Sequence, residues 1–138
     1  MAAFPTAKPL ADKLGIKPGH TVALLEAPPG FEESLEPLPD DVLTQESLDG
    51  GGPFDVVVCF TTLREELVAY VDEVRPLLAP AGRLWIAWPK RASKIPTEVG
   101  DETVREVALP TGLVDNKICA IDETWTGLGL VIRRELRT

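Results

Sequence analysis

Three nearly unbroken apolar runs constrain this chain more than any other feature: Val22-Ala23-Leu24-Leu25, Phe54-Asp55-Val56-Val57-Val58-Cys59-Phe60 and Leu84-Trp85-Ile86-Ala87-Trp88. A strand with one face in water alternates apolar and polar residues, whereas a strand covered by helices on both faces is apolar almost throughout. Turn-forming residues precede each run (Lys17-Pro18-Gly19, Gly50-Gly51-Gly52-Pro53 and Pro80-Ala81-Gly82), and Pro89 stops the third. Stretches with helical spacing separate the runs, so the pattern predicts a parallel sheet between helical layers.

The strongest helical stripe is Leu63, Leu67, Tyr70 or Val71, Val74 and Leu77 or Leu78, between the second and third runs. Thr62 and Glu65 have capping-box spacing at its start, and Pro76 removes a backbone donor from its last turn. A short stripe of Leu10, Leu14 and Ile16 is terminated at Gly15, a shorter helix is expected over Phe31–Glu36, and another over Asp101–Leu109, ended by Pro110-Thr111-Gly112. A weak strand at Asp41–Gln45 completes the first crossover. Leu113–Asp122 and Leu128–Leu136 both read as strands, and the connection Glu123–Gly127 is too short for a parallel crossover, so the two must form an antiparallel hairpin. The predicted fold is therefore a single three-layer α/β domain spanning residues 1–138, Rossmann-like, mostly parallel, with a C-terminal antiparallel hairpin.

Composition bounds function by exclusion. With 138 residues, 44% hydrophobic and 26% charged, the chain can bury a core without metals or disulfides. Cys59 and Cys119 sit inside apolar runs with no Cys-x-x-Cys spacing, and read as buried thiols of a reducing compartment. Met1–Leu10 lacks the apolar stretch of a secretory signal, and no run is long enough to span a bilayer, so the cytoplasm is the expected location. The net charge of −8 argues against nucleic acid and anionic membrane as partners. That charge is concentrated: residues 26–73 carry thirteen acidic side chains and one basic, while the flanking segments are slightly basic. The acidic stretch is a solvated face or a docking surface for a basic protein partner.

The order of the pieces resembles a shortened class I methyltransferase. Leu14-Gly15-Ile16-Lys17-Pro18-Gly19 leads into a strand, Phe54–Val58 follows, and Leu77-Leu78-Ala79-Pro80-Ala81-Gly82-Arg83-Leu84 is similar to that superfamily's turn before its fifth strand. Nearly the whole chain, from Pro9–Ile16 through Trp88-Pro89-Lys90 to Asp122–Gly127, also resembles a family of short bacterial proteins known only as a domain of unknown function. The resemblance implies the fold and no activity. Where methyltransferases carry a glycine loop after the first strand, Leu24 takes the acidic position, Glu26 the first glycine and Pro28 the second, and only Gly30 remains. Pro28 and Pro29 lack backbone N–H donors, so the loop is a stiff elbow rather than a cradle for adenosylmethionine or phosphate. No cofactor is expected on this ground.

Open parallel sheets bind ligands beyond the carboxyl ends of their strands, where strand order reverses. That crest is expected to carry Glu26, Thr61 and Thr62, and Trp88 with Lys90, while Ser93 and Lys94 follow in a long loop. Trp88 is a candidate to stack on a flat group while Lys90 or Lys94 meets a small anionic ligand near the amino end of the long helix. Trp125, placed in the hairpin turn, either closes over the same crevice or packs on the sheet. Trp85 lies an odd number of residues from Trp88 and so faces the opposite side. His20 enters the first strand at its amino end, away from the crest, and one histidine excludes a histidine metal cluster; carboxylate-only magnesium sites stay open. Serine lacks a Gly-x-Ser-x-Gly elbow, and Asp122-Glu123 is a weak acid–base pair. The leading reading is a non-catalytic domain binding a small ligand or a protein. The alternatives are a small transferase-like enzyme using the crest, and an assembly protein using its acidic face, with a homodimer through the hairpin edge.

Overall fold

The computed structural model describes residues 8–137, so the expectation drawn from Met1–Leu10 falls mostly outside the described residues. Six strands form one sheet in the order β2-β1-β3-β4-β6-β5. The strands are β1 (Thr21–Leu25), β2 (Leu43–Gln45), β3 (Phe54–Phe60), β4 (Leu78–Pro89), β5 (Leu113–Ala120) and β6 (Trp125–Ile132). The helices are α1 (Leu10–Leu14), α2 (Phe31–Ser34), α3 (Arg64–Val74) and α4 (Asp101–Ala108). β2, β1, β3 and β4 are parallel neighbours, and β6 inserts antiparallel between β4 and β5. The architecture is the mixed, mostly parallel α/β sheet that the apolar runs predict.

Alternation of side chains across the pleat divides the core into two layers. Ala23, Leu25, Val57, Cys59, Leu84, Ile86 and Trp88 face α3 and α4, joining Leu67, Val71, Val74 and Val104. Val22, Leu24, Val56, Val58, Phe60, Trp85 and Ala87 face α1 and α2, joining Leu14 and Phe31. Trp85 and Trp88 are thus on opposite faces, as their spacing requires. Both cysteines are buried free thiols, and burial holds each thiol above its ordinary pKa.

Trp85 anchors the second layer. Its side chain is fully buried, and its indole N–H donates to the carbonyl of Leu14 at 2.9 Å. That carbonyl belongs to the last turn of α1, which Gly15 closes at φ 84°. On the other side the indole lies against β6, where a Cβ on Gly129 would come within 3.0 Å of the ring.

Several boundaries move for identifiable reasons. The sheet ladder takes in Leu78, opposite Phe54, then resumes at Arg83 opposite Val56, so β4 begins six residues before the apolar run, with a bulge between. α3 stops at Val74 and Pro76 sits in the 3₁₀ turn Arg75–Leu77 that follows. The final strand begins at Trp125 rather than Leu128 and ends at Ile132 rather than Leu136. The Asp122 carboxylate accepts the N–H groups of Thr124 and Trp125, both at 2.8 Å, tightening the turn so that pairing starts earlier. Residues Arg134–Leu136 form a 3₁₀ turn. Trp125 is therefore a strand residue and not part of the turn.

Replacing Trp85 by Phe keeps most of the apolar contact but leaves the Leu14 carbonyl without its indole partner, and is expected to lower unfolding free energy by about 1–3 kcal/mol. Urea denaturation of the two proteins measures this difference.

Candidate functional site

Connections from β1 run to β2 on one side, while those from β3 run to β4 on the other, so strand order reverses between β1 and β3. The crest of the sheet at this reversal is the place where such folds seat ligands. Here one face of it is filled by aromatic rings. Phe31 of α2 meets Phe60 at the end of β3 edge-to-face at 4.8 Å, and Phe60 meets Trp125 in the same way at 5.2 Å. Trp125 accordingly packs on the sheet.

The loop leaving β1 keeps the backbone course of a glycine turn without the glycine. Glu26 stands at φ 57°, a left-handed conformation uncommon for a residue with a Cβ, and Gly30 stands at φ 85°. Between them lie Ala27, Pro28 and Pro29, and the Pro28 carbonyl accepts the Phe31 N–H at 3.1 Å to start α2. A hollow of about 410 Å³ opens beside this loop, bounded by Leu24, Pro28 and Pro29 and by the carboxylates of Glu26, Glu32, Glu33 and Glu46. No lysine or arginine lines it. Like charges this close repel a phosphate or carboxylate and favour a neutral or positive guest.

Glu46 went unnoticed in the sequence. It directly follows β2, twenty positions after Glu26. The signal was a short strand ended by an acid, at the interval where dinucleotide-binding folds place the carboxylate that accepts ribose hydroxyls.

The remaining sequence-derived candidates separate into distinct places. Thr61 is buried and its hydroxyl is spent on the chain: it accepts the Leu63 N–H at 3.1 Å and donates to Glu66 Oε1 at 2.6 Å. The Thr62–Glu65 capping box does not form. Leu63 is the N-cap residue in extended conformation, and the free Arg64 N–H donates to the Glu98 carboxylate at 3.0 Å. The positive end of α3 thus already faces an anion of the protein's own. Thr62 contributes its carbonyl to the Glu98 N–H at 2.8 Å.

Beyond β4, Trp88, Arg91 and Lys94 line a second hollow of about 550 Å³ together with Glu98 and Asp101, so its basic and acidic side chains balance. Trp88 is buried against α3 and α4 with little of its ring free for stacking. Ser93 closes the 3₁₀ turn Arg91–Ser93, donating to the Lys90 carbonyl at 2.7 Å and accepting from the Ile95 N–H at 3.2 Å. Lys90 is tied by its backbone to Thr124 at 2.7 Å. The structure therefore brings Trp88 and Lys94 to one hollow, sets Glu26 at another, and leaves Thr61, Ser93 and Trp125 in structural contacts. His20 lies at the amino end of β1, where its Nδ1 accepts the Lys17 N–H at 3.1 Å.

No family model and no curated protein matches the chain. Solved structures do. The fold is similar to a ribosomal protein L11 methylase from Lactobacillus delbrueckii subsp. bulgaricus, at 15% identity and TM-score 0.62, over 90% of this chain and 75% of that one. It is similar to a SAM dependent methyltransferase from Aquifex aeolicus at 15% identity and TM-score 0.56, over 89% and 88%. Fibrillarin from Aeropyrum pernix, solved with natively bound S-adenosyl-L-methionine, matches at 13% identity and TM-score 0.57, over 88% and 73%. The chain has the class I methyltransferase-like fold, and at these identities the likeness is one of fold.

Thr61→Val preserves shape while stranding the Leu63 N–H, and is expected to cost about 1–2 kcal/mol of stability, read as a lowered urea midpoint with unchanged slope.

Proposed function

We propose that this chain is a non-catalytic, small-ligand-binding domain built on the methyltransferase-like fold, with its ligand seated in the hollow at the carboxyl ends of β1 and β2. The observation that carries this reading is the lining of that hollow: a proline corner without backbone donors and four carboxylates, with no basic side chain. Such a seat rejects phosphates. Glu46 at the end of β2 supports a ligand bearing vicinal hydroxyls, the chemistry of an unphosphorylated nucleoside. Absence of catalysis is supported by the engagement of Thr61, Ser93 and Asp122 in the chain's own turns, and by the position of His20 at the opposite end of the sheet.

A transferase is the second reading. The left-handed backbone at Glu26 retains the turn of a glycine loop, and structural neighbours include a methyltransferase with bound SAH and the fibrillarin with S-adenosyl-L-methionine. Against it stands the loop itself, where Pro28 and Pro29 offer no backbone N–H to such a cofactor. An anionic ligand at Lys94 and Trp88 is weaker than either reading, because Glu98 and Asp101 cancel the local positive charge.

A thermal-shift comparison of adenosine, guanosine, cytidine and uridine with their monophosphates tests the proposal, since a ligand that binds only the native state raises its melting temperature. The expected result is a rise with at least one nucleoside, a smaller rise with its monophosphate, and loss of both in Glu46→Ala. Equal or larger shifts with monophosphates, or none with any nucleoside, contradict it.

A further inference from the structure

A parallel strand is normally reached through a crossover long enough to carry a helix, and that helix covers the sheet. α2 lies in the connection from β1 to β2, α3 in that from β3 to β4, and α4 in that from β4 to β5. The connection from β2 to β3 is the exception: residues 46–53 pass beneath β1 with no helix at all. This crossover contributes no helix to cover β2, whose Leu43 is exposed, although Ala23 and Leu25 of β1 are buried on the α3 side. What remains there is a groove of about 550 Å³ between α3 and this connection. The volume suits a small organic molecule.

Leu48, Tyr70 and Leu77 are only partly buried and form its apolar floor against the core. Glu26, Glu46 and Glu73 stand at its rim, and no basic side chain lines it. The phenol of Tyr70 is held in its neutral form chiefly by burial, then by Cys59, with the negative charges of Glu26, Glu66 and Glu73 acting in the same direction. An aromatic face beside three carboxylates attracts a positive group electrostatically, and the leucines reward an apolar body attached to it. Neither an inorganic cation nor a neutral hydrocarbon uses both halves.

We propose that this groove binds an organic ammonium ion carrying an apolar body, with the ammonium at Glu73 and Tyr70 and the body on Leu48 and Leu77. The groove shares Glu26 and Glu46 with the nucleoside seat and is told apart from it by Leu48, Tyr70 and Glu73, which line only the groove, and by Glu32 and Glu33, which line only the hollow.

Calorimetric titration of the full chain with phenethylammonium, 2-phenylethanol and 3-phenylpropanoate separates the contributions. Saturable binding of the ammonium ion is expected, with the alcohol roughly tenfold weaker, the carboxylate silent, and affinity falling as salt rises. Glu73→Gln, a change at an exposed position, should weaken ammonium binding about fivefold, and Tyr70→Leu by a similar factor, while Glu32→Gln leaves it unchanged. Indifference among the three probes, absence of saturation with the ammonium ion, or affinity unchanged in both Glu73→Gln and Tyr70→Leu overturns the proposal. A loss with Glu32→Gln but not with Glu73→Gln also overturns it, by moving the cation to the nucleoside seat.

Discussion

The hydrogen bond from the Trp85 indole to the Leu14 carbonyl joins two points 71 residues apart in sequence, and the arrangement of the α1 side of the molecule follows from it. An indole in the middle of a central strand needs a partner for its N–H, because burying that donor unpaired costs several times what the bond itself contributes. The end of α1 supplies one, since the carbonyls of a last helical turn have no partners within the helix. The ring then requires a flat neighbour on β6, and Gly127 and Gly129 provide it: a Cβ at either comes within 3.4 Å of the indole. Helix, parallel strand and antiparallel strand are locked at one residue, so the insertion of β6 beside β4 is specified by side-chain shape as well as by backbone pairing.

At the crest, the loop after β1 sets the character of the proposed seat. The turn after β1 is preserved in backbone shape, because Glu26 accepts the left-handed conformation. Two of its backbone donors are missing, because Pro28 and Pro29 carry no N–H. Four glutamates line the hollow beside it, with no lysine or arginine among its lining residues. The amino end of α3, the longest helix among the described residues, is covered by Glu98.

Much of the architecture was legible in the apolar runs. β3 occupies the stretch its sequence outlines, and the brevity of the segment before Trp125 was enough to demand a hairpin. Boundaries failed where a distant residue took over a local role. Thr62 and Glu65 have the right spacing for a cap, yet Thr61 and Glu98 perform the capping, and Glu98 lies 34 residues from the Arg64 N–H it accepts. The start of β6 is hidden because Thr126-Gly127 reads as a turn, while the tight turn is made earlier, by the Asp122 carboxylate on the Thr124 and Trp125 N–H groups. The candidate site was legible only in part. Glu26 and the proline corner could be placed from their order after β1, whereas the convergence of Glu32, Glu33 and Glu46 depends on how α2 and β2 fold back beside that loop, which spacing alone does not encode.

Under the proposed function, the loop after β1 turns at Glu26 yet is not expected to hold S-adenosylmethionine, because Pro28 and Pro29 remove two backbone donors. Isothermal titration of the chain with S-adenosylmethionine, and with the demethylated product, addresses this directly. Featureless heats of dilution across the micromolar range are predicted. A saturable isotherm with micromolar affinity for either compound would contradict this, and with it the assignment of Pro28 and Pro29 as the reason for exclusion.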